Sequence, residues 1–253
     1  MMPLYKRLSY YAELSEDDFA PLRALAGQKQ LAERGRDIIV AGQAFSRAFV
    51  VQQGWAIRYQ MLKDGRRQIL NVMMPGDMFD LQVFVTKEAD HSVMAVTDME
   101  LLTVSPGEAL AMLRGQGSLA LSFWWAAAQE EAILRQQIVR NGRNTARERV
   151  AHFLLELHRR AQVVSEGDQN GFHMPLTQTI IGDALGLSHI HVNRVLRKFM
   201  IEKLIRRERS WLELLDQTKL AEISDFDASY LDLDSASKRI RMKMSLQSQD
   251  IGA

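Results

Sequence analysis

Residues 176–215, LTQTIIGDALGLSHIHVNRVLRKFMIEKLIRRERSWLELL, constrain this chain more than any other stretch: they spell two short helices hinged on a glycine, then a basic hairpin. Thr177 is a residue type suited to N-capping, Ile181, Ala184 and Leu185 share one face of the helix it opens, and Gly186 supplies a tight break. Ser188 caps a second helix, in which Val192, Val195, Leu196 and Phe199 recur at i, i+3, i+4 and i+7 as a buried stripe. The other side carries His189, Ile190, His191, Asn193, Arg194, Arg197 and Lys198. Such a mixture of amide, guanidinium and ammonium groups reaches base edges and phosphates when a helix lies in a major groove. Residues 204–215 read as a hairpin, with 206–210 as its polar turn and Trp211, Leu212, Leu214 and Leu215 returning.

The pattern LTQ..IGDALGLS...VNRVL.....E.LI resembles the winged helix-turn-helix of the Crp/Fnr family of bacterial transcription regulators. The resemblance implies a sequence-specific regulator that binds an inverted-repeat duplex as a homodimer, with RNA polymerase as a further partner. It puts Arg194 at the family's recognition arginine, and the Thr177 hydroxyl and Gln178 amide where backbone contacts are made. Ser188, Arg207 and Arg209 complete the candidate DNA face. Ile190 stands where better-known relatives carry a glutamate that accepts from cytosine, so the half-site is expected to differ and to favour a thymine methyl.

The length of 253 residues suffices for two cores. Lys plus Arg, 32, nearly cancels Asp plus Glu, 31, so attraction to a polyanion has to be local. Basic residues do gather at Arg135, Arg140, Arg143, Arg147 and Arg149, and again from Arg194 to Arg209. Cysteine is absent, which excludes disulfides, Cys-ligated zinc and Cys-bound iron-sulfur clusters. No metal site and no resident cofactor are expected. The N-terminus has no apolar core of a signal peptide and no stretch nears the roughly 20 apolar residues that span a bilayer, so a cytoplasmic location is expected.

The expected fold is α+β. A short helix over 15–26, capped by Ser15 with Phe19, Leu22 and Leu25 on one side, precedes a region of period two from about residue 31 to 104. Strands are predicted at 37–40, 47–52, 55–61, 68–73, 92–96 and 99–104, punctuated by Gly42, Gly54, Gly65 and Gly76 as in a jelly-roll-like barrel. This region is similar to the family's cyclic-nucleotide-binding β-roll. A helix at 106–114 follows Ser105 as cap, and 118–141 forms a long helix of roughly 36 Å at about 1.5 Å per residue. Its wide apolar arc leaves a face for a partner, and Phe123, Ala127, Leu134 and Ile138 are the candidate dimerisation residues. The division is 1–116 for the N-terminal helix and β-roll sensor, 117–143 for the dimerisation helix and hinge, 144–216 for the winged domain, and 217–253 for a short helix and a disordered tail. The hinge itself is placed at 142–144.

The family's cyclic-nucleotide sites use a Gly-Glu pair for the ribose and an Arg-Ser pair for the cyclic phosphate. Here the turn Gly76-Asp77 is kept, the following MFDLQVF lacks Gly-Glu, and His91-Ser92 replaces Arg-Ser. Losing the guanidinium removes the strongest charge-assisted contact to a phosphate. Leu134 and Arg135 replace the polar pair that receives the base. The candidate effector pocket is therefore Gly76, Asp77, Asp80, His91, Ser92, Leu134 and Arg135, with cyclic AMP disfavoured and a different small ligand, or none, left open. No nucleophile elbow, phosphate-cradling glycine loop or metal-spaced histidine cluster suggests an enzyme.

Overall fold

The computed structural model describes residues 2–11, 14–24, 28–80, 88–115, 117–164 and 170–231. Two helices, α1 (Pro3–Leu8) and α2 (Glu16–Ala24), precede eight strands: β1 (Lys29–Ala32), β2 (Asp37–Ile39), β3 (Ala48–Gln53), β4 (Ala56–Met61), β5 (Arg67–Met73), β6 (Met78–Phe79), β7 (Ser92–Ala95) and β8 (Met99–Val104). Then come α3 (Pro106–Gly115), α4 (Gly117–Arg143), α5 (Ala146–Gln162), β9 (Gly171–His173), α6 (Gln178–Leu185), α7 (His189–Ile201), β10 (Ile205–Glu208), β11 (Trp211–Leu214), α8 (Gln217–Ser224) and a 3-10 turn, Ala228–Leu231.

The strands form two antiparallel four-stranded sheets, ordered β1-β8-β3-β6 and β2-β7-β4-β5. Between them lie Ile39, Phe49, Val51, Ala56, Met73, Phe79, Val93, Ala95, Met99 and Leu101, with Phe49 stacked on its cross-strand partner Phe79 at 5.1 Å. Successive side chains of a strand alternate faces, so Ala48 and Val50 point the other way, where Leu4, Leu8, Leu22, Met112, Leu119 and Phe123 of the helices cover them. The outer face of the second sheet, with Ile57, Tyr59, Ile69 and Val72, merges into one core with Val150, Leu154, Ile181 and Leu185 of the C-terminal domain. Both sheets thus carry packed side chains on both faces, and β3 opens with the apolar run Ala48 to Val51.

Helix starts follow their caps. Ser15 and Asp18, Ser105 and Glu108, and Thr145 and Glu148 each exchange side-chain and backbone hydrogen bonds across the first turn, and so satisfy donors that a helix leaves unpaired. Helix α4 continues through Gly142 and Arg143, and only Asn144 and Thr145 separate it from α5. The expected hinge at 142–144 shrinks accordingly. Two strands escaped the periodicity: β1, a sheet edge with Leu31 77% exposed, and β6, two residues long. Helix α8, grouped with the tail in the sequence division, packs on α5 through Leu220. The side chains of Phe19 and Leu25 and the tail from 232 onward lie outside the described residues.

Candidate nucleic-acid interface

Thr177 accepts a hydrogen bond from the Ile180 amide at 3.2 Å, and Ser188 does the same for His191 at 3.3 Å, so α6 and α7 begin where their caps dictate. Gly186 turns the chain at φ 64, and the Leu187 amide donates back to the Gly182 carbonyl at 3.0 Å. A Cβ at Gly182 would meet the Leu187 carbonyl oxygen at 2.5 Å, so the turn closes only over glycine. Val192, Leu196 and Phe199 are buried and Val195 is half-buried.

The opposite side of α7 is open. Ser188, His189, Ile190, His191, Arg194, Arg197 and Lys198 are exposed and Asn193 is half-exposed. Ile190 presents 60% of its surface to solvent on this face. Lys198 lies 3.9 Å from Glu202, itself clamped by Arg147, while Arg194 and Arg197 reach outward one helical turn apart. Thr177 is exposed and Gln178 half-exposed at the start of α6, beside this face. At the wing, Arg209 is exposed at the tip with φ 53 and forms the turn with Ser210. Arg206, Arg207 and Glu208 belong to β10, so the expected polar turn of 206–210 is only its last two residues. Arg207 is a correction: its guanidinium turns inward and donates to the Leu176 carbonyl at 2.8 Å, which braces the wing instead of facing a duplex.

The candidate effector residues do not converge on one site. Gly76 and Asp77 line a cavity of about 50 Å³ with Arg7 and Arg160, and Asp77 is already held by Arg7 at 2.7 Å and Arg160 at 3.0 Å. His91 and Leu134 line a different cavity of about 530 Å³ between β-roll and α4, together with Arg58, Leu70 and Ile138. Arg135 faces solvent and pairs with Glu131, so it is not part of either. Asp80 is buried at φ 61, with its carboxylate 2.8 Å from His91 Nε2 and 3.8 Å from Arg58. Burial works against a charged His91 ring, but the Asp80 carboxylate outweighs it and moves the imidazole above its ordinary value. The Ser92 hydroxyl accepts from the Ala41 amide at 3.0 Å.

On α4, Phe123 is a second correction. It is 6% exposed and packs on the chain's own β-roll, so it cannot serve a partner. Ala127 and Ile138 are exposed and Leu134 is half-exposed; Trp124, 64% exposed, continues the same stripe at spacings of three and four. Among the described residues, no helix is long and apolar enough to cross a membrane.

Comparison with known proteins matches two parts of the chain to domain families. Residues 148–223 match the model of the Crp-like helix-turn-helix domain, and residues 29–116 that of the cyclic nucleotide-binding domain. The nitrogen fixation regulation protein FixK of Rhizobium meliloti is 30% identical over 182 residues, which cover 72% of this chain and 76% of that protein. The transcriptional activator protein Anr of Pseudomonas protegens is 24% identical, with 83% of this chain and 86% of the relative covered. Among solved structures, FixK2 from Bradyrhizobium japonicum superposes with a TM-score of 0.70 at 25% identity, covering 79% of this chain and 98% of the other. A β-roll, a long helix and an open-faced winged helix-turn-helix, in that order, together with these relatives, make the chain a member of the Crp/Fnr family of transcription regulators.

Proposed function

We propose that the protein acts as a symmetric homodimer that lays α7 of each copy in successive major grooves of an inverted repeat. The observation that carries this reading is the pairing of two open surfaces: the polar outer side of α7, and the apolar stripe Trp124, Ala127, Leu134 and Ile138 on α4. A 27-residue helix is about 40 Å long, enough to support a short two-stranded coil along that stripe. Two-fold symmetry then sets the recognition helices one duplex turn, roughly 34 Å, apart. The fit to a regulator rather than an enzyme rests on the relatives, and RNA polymerase as partner and a cytoplasmic location follow from the same role. Light scattering and gel shift test the assembly. Ile138→Glu places a charge on the stripe and is expected to raise the dimer dissociation constant at least tenfold and to weaken binding to the inverted repeat in parallel. A monomeric wild-type chain that binds single half-sites equally well would refute it.

We further propose that a cyclic nucleotide is not the effector of the β-roll. Where the family places the arginine for the cyclic phosphate, His91 is already paired with the protein's own Asp80 carboxylate, which would repel a second anion. No iron-sulfur cluster can be held through cysteine, since the chain has Cys 0. We expect millimolar cyclic AMP to leave both the unfolding midpoint and operator affinity unchanged. A midpoint that climbs with ligand concentration, as mass action requires of any native-state ligand, would overturn this.

A further inference from the structure

The Crp-like helix-turn-helix model ends at residue 223, yet the chain goes on and folds back onto the domain junction. Asp225, at φ 48, turns it away from α8. The Phe226 ring then meets His152 of α5 edge-on at 4.9 Å, and the Tyr230 ring stacks on the same imidazole at 5.9 Å and 18°. The Tyr230 hydroxyl donates to Glu156 Oε2 at 2.8 Å, the oxygen that also receives Arg140 of α4 at 3.1 Å. Leu231 is fully buried, and its carbonyl accepts from the Gln129 side-chain amide on α4. The oxygen of that amide accepts from the Tyr11 hydroxyl at 2.7 Å, so one residue of α4 receives both the N-terminal and the C-terminal segment.

We propose that Phe226 to Leu231 form a strap that fixes the pose of the winged domain against α4, with Gln129 and Tyr230 as positioning residues for DNA recognition. The covalent junction between α4 and α5 is only Asn144 and Thr145. The tie at Gln129 lies about 22 Å further back along α4, at about 1.5 Å per residue. The β-roll holds the winged domain through Arg160 to Asp77 and Arg67 to Asp183, and the strap adds a separate tie to α4 at Gln129, which limits swinging about the short junction. The groups in the tie suit a dry, permanent contact. Burial and the neighbouring Arg140 guanidinium push His152 down to about 4, so its ring is neutral at pH 7 and its Nδ1 accepts from Arg140 at 3.2 Å. Burial alone would raise Glu156, but Arg140 and then Arg160 outweigh it and hold the carboxyl below its ordinary value. Two recognition helices read an inverted repeat at one spacing only if each domain keeps its pose. The DNA arm of the test rests on the homodimer reading above.

The test compares the full chain with Tyr230→Phe and with the double variant Gln129→Ala, Leu231→Asp. Hydrogen exchange is measured across α5, and affinity across inverted repeats that differ only in central spacing. The double variant is expected to exchange at least tenfold faster in α5 and to bind equally well at spacings that the wild type separates by tenfold, with Tyr230→Phe between the two. Unchanged exchange in α5 overturns the strap. Affinities that fall by one common factor with the spacing order intact overturn the positioning role, because a merely structural contribution does that. If the wild type itself ignores inverted repeats, the dimer reading falls, and the exchange result alone then upholds or overturns the strap.

Discussion

Asp77→Ala is expected to lower the free energy of unfolding by roughly 3–5 kcal/mol, measured as a drop in the denaturant midpoint. The carboxylate sits between two guanidiniums, Arg7 of α1 at 2.7 Å and Arg160 of α5 at 3.0 Å, and also accepts from the Met74 amide at 2.8 Å. Arg7, Asp77 and Arg160 are all less than a tenth exposed. Their attraction is not what makes the loss large, since desolvation offsets most of it. The loss comes from what remains: two like charges in a low-dielectric site, with Arg7 deprived of its carboxylate and Arg160 left with the fields of Glu156 and Glu130 alone. A second change separates the two effects. In an Asp77→Ala background, Arg7→Met removes one stranded charge while keeping most of the side-chain volume, and is expected to recover part of the loss. A free energy of unfolding within about 0.5 kcal/mol of wild type for Asp77→Ala would show that water reaches the site and that the triad does not join the β-roll to α5.

The parts of the molecule that the sequence made legible are those fixed by local chemistry. Ser188, Thr177 and Ser105 cap helices because each is followed by a turn that leaves amides unpaired, and that logic needs no tertiary contact. Six strands show in their period and in the glycines between them. Charge pairing between distant elements does not show. Asp77 and Arg160 are 83 residues apart and Arg67 and Asp183 are 116 apart, and nothing near either partner announces the other. Periodicity does not separate Phe123 from the partner-facing stripe because α4 is apolar over a wide arc, and a shared side does not reveal what lies against it. Arg207 could have been placed correctly: two residues after the buried Ile205 of β10, it shares the inward face. The C-terminal strap had only YLDLD as a signal, and an isolated aromatic in a polar stretch does not reveal that a buried glutamate and histidine await it.

Arg194→Ala is expected to cost roughly 1–3 kcal/mol at each half-site, and so roughly 2–6 kcal/mol for a symmetric dimer on its operator. Arg194 is exposed on the free side of α7, one turn beyond Ile190, where the resemblance to the family implies a recognition arginine. A guanidinium there can fork onto the O6 and N7 acceptors of guanine, a contact that other bases do not offer. The loss should therefore fall on cognate DNA, and the preference at one base pair of each half-site should relax. Lys198 serves as the control. It carries a point charge one turn further along, 3.9 Å from Glu202, and Lys198→Ala should weaken cognate and random duplex alike while flattening the dependence of affinity on salt. Gel shifts on both duplexes at two ionic strengths distinguish the roles. If Arg194→Ala lost equal affinity on the operator and on random sequence, Arg194 would be a phosphate contact, and base reading would have to pass to other residues of the same face, such as Ile190 and Asn193.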